Sequence, residues 1–469
     1  MIGSKELIID IEAILRGMSS GAEIADGGFS PETESVNPLA SKGVLYGGCS
    51  LTDKSTGMSG NAIAWCETNV ANINGYLLSD SGYIHSISSS QVLTAAASSL
   101  GGTWTTGTAD IVQFIDKIYA TSTTDVARMD TNLTNGDHDW WSSTQGEGTL
   151  TSGVRHPLVV FQDRLWVGDA NALHKITDSG TSDKNLLVLL AHHEITALGV
   201  DPSSGKMLIA TSHGQNYSGT ISAGFSIFTY DGTSATYTRE FIVDDLVTGF
   251  KNVGGVVYVA YGKKLGYWTG SGIAFLRDLR NVTLAGADLA YKHHMAVAGS
   301  TLYVLDGLQV LAYGEVLAGQ KIFYYCQKNS VNSNKPAVLC PVGNGKLAFG
   351  FSSAKFYTWD IATGGSLTLY SNKYHFNRPV YLRKAYIEYA DPVTDGDNNR
   401  NLYYMTNRGT GFVIMALQGG TNLQNSSGAS VYEQDDIIGF PGKCNWLQLR
   451  YNGNDIGVKR IIVRYDPAE

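Results

Sequence analysis

Histidines and carboxylates are where chemistry would be sought first, and His192-His193-Glu194 is the densest such stretch of the chain. A zinc-protease helix needs two histidines spaced i, i+4 on one face, with a glutamate beside the first as general base. No histidine stands at that spacing here, and Leu198 follows Glu194 by four residues, so the stretch reads as a repeat boundary. His293-His294 precedes the apolar run Met295-Ala-Val297 and reads as a solvated strand start. Asp395-Gly-Asp397-Asn-Asn399-Arg-Asn401 resembles the first half of a calcium loop. That loop requires a glycine at its sixth position and a glutamate at its twelfth, where this chain has Arg400 and Thr406, so a polar hairpin loop is expected.

The remaining constellations are equally bare. Gly232-Thr-Ser-Ala and Gly409-Thr-Gly411 lack the Lys-Ser/Thr pair and following helix of a phosphate-cradling loop. Asp244-Asp245 and Asp435-Asp436 are sequence neighbours, which in a strand point to opposite faces and cannot act as one acid/base pair. Trp140-Trp141 with Trp104 has the makings of a sugar-stacking patch, although aromatics between repeats more commonly serve as core. The sequence therefore assigns no catalytic, cofactor-binding or metal-binding residue and no cofactor. The remaining route to an enzyme is a site assembled from scattered residues in a central channel.

What positions these residues is a repeat. In 299–313, two short strands meet at Asp306-Gly307, an Asp-Gly pair of the kind that closes a two-residue hairpin. Leu302, Val304, Val310 and Tyr313 are its expected core. Equivalent kernels include Asp163-Arg-Leu165-Trp-Val167 and Gly255-Val-Val257-Tyr-Val259. Aligning the central strand residue gives Leu78, Tyr119, Trp166, Leu208, Tyr258, Tyr303 and Ala348, at intervals of 41, 47, 42, 50, 45 and 45 residues. A period in the forties built from three or four short strands is the signature of a propeller blade. A blade cannot bury both faces alone, so the units must pack face to face and close into a ring. The expectation is an all-β chain with a β-propeller of about seven blades, six to eight. A single WD dipeptide, Trp359-Asp360, does not recur from repeat to repeat, and no Kelch signature or calcium repeat names the propeller's type.

Composition agrees. Of 469 residues, 16% are charged, Gly is abundant (54), Pro is scarce (10) and Tyr (26) outnumbers Phe (15), which suits many strands and tight turns. The net charge of −8 gives no basic field for nucleic acid. Five scattered cysteines, Cys49, Cys66, Cys326, Cys340 and Cys444, lack CxxC spacing and read as buried free thiols of a protein made in a reducing cytoplasm. The N-terminus has no signal-peptide pattern and no run approaches about 18 apolar residues, so no membrane-spanning segment is expected. Three consecutive segments emerge. Residues 1–60 are an extended N-terminal lead-in, whose Leu7-Ile8-Ile9-Asp10-Ile11 fits either a strand or a short helix. Residues 61–374 are the propeller. Residues 375–469, with long alternating strands such as Val458-Lys-Arg460-Ile461-Ile-Val463-Arg464-Tyr465, are a C-terminal antiparallel β-sandwich-like domain.

The two ends carry a resemblance. Leu7-Ile-Ile-Asp-Ile, Asp26-Gly-Gly-Phe-Ser-Pro-Glu-Thr-Glu-Ser-Val-Asn37 and Gly43-Val-Leu-Tyr46 resemble the start of tailed-phage virion proteins. Trp446-Leu-Gln-Leu-Arg-Tyr451 and Ile456-Gly-Val-Lys-Arg-Ile-Ile-Val-Arg-Tyr-Asp-Pro467 are similar to the final strands of that class. Size and layout resemble the tail hub or nozzle proteins of short-tailed phages. The resemblance covers about a quarter of the chain and carries no catalytic motif. It implies a non-enzymatic virion structural protein of the tail, made in the host cytoplasm. Several copies would form a homo-oligomeric ring with other tail proteins, and that ring would retain and then pass genomic DNA without sequence-specific binding. An acidic wall suits a sliding duplex, because Lys and Arg would hold its phosphates. Two other classes remain open: a tail-fibre or surface module that binds a receptor or glycan, and a propeller glycan hydrolase.

Overall fold

A computed structural model describes residues 4–17, 36–37, 46–47, 49–105, 107–177, 179–213, 224–279, 292–317, 319–327, 336–343, 346–351, 353–364, 366–393, 400–417, 431–438, 443–454 and 457–468. Its strands form seven small antiparallel sheets, one per kernel. Blade one is Ala62–Glu67, Ile73–Ser79, Ile84–Ser88 and Leu93–Ala95; blade two is Asp110–Phe114, Lys117–Thr121 and Val126–Asp130. Blade three is Leu158–Phe161, Arg164–Asp169, Ala172–Ile176 and Ser182–Val188; blade four is His193–Asp201, Lys206–His213, Phe225–Tyr230 and Arg239–Val243. Blade five is Val247–Val253, Val256–Tyr261, Lys264–Trp268 and Ile273–Asp278; blade six is Met295–Ala298, Thr301–Asp306, Gln309–Leu317 and Gln320–Gln327. Blade seven is Pro336–Pro341, Lys346–Phe351 and Phe356–Gly364, completed by Cys49–Asp53 from the far end of the sequence.

The ring closes. Each first strand packs against the first strand of the next blade, and that of blade seven packs against Ala62–Glu67 of blade one. The first strands are therefore innermost. All seven aligned kernel residues sit on the second strand of their blade and are buried. This is the expected seven-bladed propeller. The blade-to-blade layers are apolar, as when Leu208, Ile227 and Phe250 pack together between blades four and five. Blade two lacks a fourth strand in this sheet; a π-helical turn, Trp140–Thr144, packs against its third strand instead.

The hairpin of blade six turns one residue later than expected. Its strand runs to Asp306, and the turn residues are Gly307, with φ +65°, and Leu308. A positive φ at the first central position is what a type II′ turn asks of glycine, so Gly307 leads the turn and Asp306 closes the strand, fully buried. The four expected core residues Leu302, Val304, Val310 and Tyr313 are all buried.

By packing the chain divides into two compact units, Leu51–Gln309 with Ser330–Trp359, and Met1–Ser50 with Val310–Asn329 and Asp360–Glu469. They interleave in sequence, and N-terminal strands join sheets built by later residues. In the second of these units, Lys5–Asp10 is a strand, and the chain turns at once into the helix Ile11–Gly17, so the ambiguous opening contains both. The strand pairs antiparallel with Val458–Pro467, with Leu7 opposite Val463 and Ile9 opposite Ile461. On the outer face Glu6 meets Arg464 at 2.9 Å and Asp10 meets Arg460 at 3.0 Å, while Ile461 and Val463 face inward, following the strand alternation. The C-terminal strands form one eight-stranded sheet. The bulged 20-residue strand Tyr374–Val393 pairs with both Val431–Ile438 and Lys443–Asn454, so the sheet order closes on itself. The long antiparallel strands expected in this region are present, joined in one sheet among the described residues.

Candidate functional site at the propeller axis

The innermost strands bring together charges that are far apart in sequence. Asp110 opens the first strand of blade two, and Lys292 and His293 form a 3-10 turn that leads into blade six. These blades are not neighbours in the ring, so bonds between them cross its middle. Lys292 Nζ lies 2.7 Å from both Asp110 carboxylate oxygens and donates to Leu158 O of blade three at 3.1 Å. Leu158 N–H and Ile111 N–H donate to the same carboxylate at 2.8 and 2.7 Å. His293 Nδ1 accepts from Trp65 N–H of blade one at 3.1 Å, which leaves its proton on Nε2, 3.0 Å from Asp110 Oδ1. One carboxylate thus joins four blades. Burial pushes the Asp110 carboxyl up, but Lys292 and His293 outweigh it and hold it well below the usual carboxylate range.

A second bridge crosses the opposite side. Arg155, buried ahead of blade three, donates from Nη1 to Thr248 O of blade five at 3.2 Å, and Thr196 Oγ1 of blade four donates to Val247 O at 2.7 Å. Burial lifts the Glu194 carboxyl to about 7 against the pull of Arg155, and its Oε1 has no hydrogen-bond partner among the described residues. Between the two bridges is a cavity of about 30 Å³, lined among others by Asp110, Arg155, Thr196 and Lys292, with room for ordered water. Beyond Lys292 opens a cavity of about 770 Å³. Its walls are mainly Val, Leu, Phe and Gly, and its charges are paired: Lys251 with Glu67 at 3.2 Å, and Lys292 with Asp110. Glu67 is the one carboxylate among the described residues lining it. Hydrolysis of a glycosidic bond takes two, separated by about 5–9.5 Å.

Several sequence expectations change. His293 and His294 are not a solvated strand start: both are buried, because Asp110 and Trp65 N–H hold His293 and the turn carries His294 inward. Burial, with His293 and Arg155 beside it, lowers His294 to about 3. Asp244 and Asp245 do not oppose each other across a strand; they lie in a bend between blades four and five, and both reach Lys264, at 2.9 and 3.6 Å. Trp104, Trp140 and Trp141 are buried, so no stacking platform is displayed there. The side chains of Asp435 and Asp436 and the loop 395–399 lie outside the described residues. Cys66, Cys326, Cys340 and Cys444 are buried free thiols, with Cys66 pushed up to about 12 by burial.

His192-His193-Glu194 is also different in space. A turn, His193 N–H to Leu190 O at 2.9 Å, curls His192 back so that its ring centroid is 4.3 Å from that of His193. The next strand places His213 directly opposite His193, 4.5 Å away. Sequence spacing along one element does not reveal this third ring.

No protein-family model and no curated protein matches the chain. Among solved structures it is similar to the WD40 domain of Pan2 from Neurospora crassa, at 10% identity and a TM-score of 0.41, over 64% of this chain and 89% of that one. It is also similar to the extracellular domain assigned to a hybrid two-component system of B. thetaiotaomicron, at 10% identity and a TM-score of 0.46, over 80% of this chain. The chain spans about 46% of the length of that second structure. No helix among the described residues is long and apolar enough to cross a membrane.

Proposed function

We propose that this chain is a non-enzymatic structural protein of a virus particle, a tail component of the hub or nozzle kind. Copies of it would ring the path of the genome and join other tail proteins. The observation that carries the reading is the pairing of Lys5–Asp10 with Val458–Pro467, since each of these strands holds part of the sequence, from opposite ends of the chain, that resembles phage virion proteins. One stretch from each end of the resemblance, residues 7–10 and Val458–Pro467, thus lies in one sheet. The axis supports the same reading: Asp110 with Lys292, and Arg155 with Thr248 O, bind blades to one another across the ring, which suits a rigid building block. Each propeller is bridged through its own middle, so a duplex would pass through a ring of copies and not through a single propeller. A glycan-binding module gains nothing from Trp104, Trp140 and Trp141, which are buried.

The test is the position of this chain in a reconstructed particle. A symmetric ring of copies beside other tail proteins is the expected result. A monomer in solution that is absent from purified particles overturns the proposal, and saturable binding to cell-surface polysaccharide by that monomer would favour the receptor-binding module.

A further inference from the structure

We infer that His192, His193 and His213 form a binding site for a divalent transition metal ion, of which Zn²⁺ is the simplest occupant. A ring nitrogen from each lies within 4.8 Å of one from each of the others. In a tetrahedral zinc site with Zn–N near 2.05 Å, ligand nitrogens stand about 3.3 Å apart, so small ring rotations complete the geometry. Imidazole without carboxylate ligands selects zinc, nickel or copper over magnesium or calcium. Three protein nitrogens leave the fourth position to water.

The hydrogen bonds around the rings decide which nitrogen is available. Ser226 Oγ donates its single proton to Glu240 Oε1 at 2.7 Å, since a carboxylate only accepts. Its contact with His213 Nε2 at 3.1 Å therefore has the imidazole as donor. The proton of His213 sits on Nε2, and Nδ1 presents its lone pair. This is the carboxylate-backed arrangement that orients metal-binding histidines, here relayed through a serine. His193 is held in the same manner: its Nδ1 lies 3.1 Å from Thr211 Oγ1, which itself reaches Ser226 O at 3.5 Å. That leaves Nε2 of His193 for the ion. Gly224 supplies the clearance, because a Cβ there would stand 2.3 Å from His213 Nδ1.

The site arises from a fold irregularity. A bulge between Ile195 and Ala197 shifts the ladder by one residue and sets His193 opposite His213. The turn at 190–193 then adds His192, which is exposed and gives the ion a route in. Nothing in this inference rests on the virion reading.

The experiment is Zn²⁺ titration of the untagged, chelator-stripped full-length chain by calorimetry, with Co²⁺ absorption as a spectroscopic reporter of the ligand field. One equivalent is expected to bind, and the Co²⁺ spectrum to be that of a low-coordinate nitrogen site. His193→Gln and His213→Gln should abolish it, and exposed His192→Asn, which leaves the core untouched, should weaken it. Ser226→Ala should cost about 10–100-fold in affinity by freeing the His213 ring, and Gly224→Ala should block the ion while the blade stays folded. His138→Asn and His375→Gln, at exposed positions elsewhere, should change nothing. Wild-type binding no tighter than that of His213→Gln overturns the inference, as does unchanged binding in His192→Asn.

Discussion

Replacing Asp110 by asparagine removes the charge that Lys292 approaches at 2.7 Å and weakens the acceptor for His293 and two backbone amides. Breaking a buried ion pair from one side costs about 3–5 kcal/mol, and the lower end applies because Lys292 is partly exposed. Urea denaturation should show a lower midpoint for Asp110→Asn, with part of the loss recovered in Asp110→Asn/Lys292→Met. An unchanged midpoint would mean that the axial carboxylate is not a structural hub. The buried histidines make a separate pH prediction. Burial lowers His85 to about 4 and His294 to about 3, while in the unfolded chain both sit near 6.5. Between those values the unfolded chain binds protons that the folded chain refuses, so their contribution is complete above pH 6.5 and is lost as the pH falls toward 4. Glu194, raised to about 7, acts in the opposite sense: it favours the fold below its unfolded value near 4.5 and loses that contribution as the pH rises through 7. Two histidines outweigh the one glutamate, so thermal melts should decline from about pH 6.5 downward, before the ordinary carboxylates titrate. His294→Gln should flatten that decline. A melting temperature constant from pH 7 to 5 would contradict the burial of these rings.

At the scale of the element, the blades were legible because each second strand is a short apolar run bounded by a turn, a pattern local enough to read in order. Tyr119, Trp166 and Tyr258 mark blades by their own neighbours alone. The axial turn Lys292–His294 was not legible, because its partners Trp65, Asp110 and Leu158 are more than a hundred residues away and belong to three other blades. His213 was hidden differently: an unbroken ladder from Asp201 and Lys206 would set His193 opposite residue 214, and only the bulge at Ile195 corrects the register. The C-terminal strands showed their alternation, but the bulges that bend Tyr374–Val393 between two partners leave no comparable mark in the sequence. Packing between blades makes its own prediction at Gly350 of blade seven. A Cβ there would stand 2.3 Å from Ala62 Cβ, at the seam between the last blade and the first. Both lie on strands, so Gly350→Val should force the blades apart and cost about 1–3 kcal/mol, read as a lower melting temperature. Equal stability would mean that the seam is looser than this contact requires.

For the whole molecule the decisive feature is that the N-terminal residues serve two sheets. Lys5–Asp10 lies at the edge of the eight-stranded sheet, and Cys49–Asp53 is the fourth strand of blade seven. The closure of the ring continues past that strand: Lys54 N–H donates to Phe356 O at 2.8 Å, and Phe356 N–H donates to Ser55 Oγ at 3.0 Å. Two deletions therefore separate two roles. Removing residues 1–40 strips the edge strand from Val458–Pro467 but spares the closing strand, so the propeller should remain folded, with far-UV circular dichroism and protease resistance of the blades retained. On the proposed function the same deletion should prevent incorporation into particles, because it removes the edge strand from the sheet that carries the resemblance to virion proteins. Removing residues 1–54 also takes the closing strand and the Lys54 bond, which leaves blade seven with three strands and an unpaired edge at Phe356–Gly364. That ring should melt at a lower temperature and aggregate, since an unclosed propeller exposes both a strand edge and the apolar layer behind it. If the shorter deletion unfolds the blades as well, the first forty residues are core to the propeller. If the longer one leaves stability unchanged, closure does not depend on the N-terminal strand.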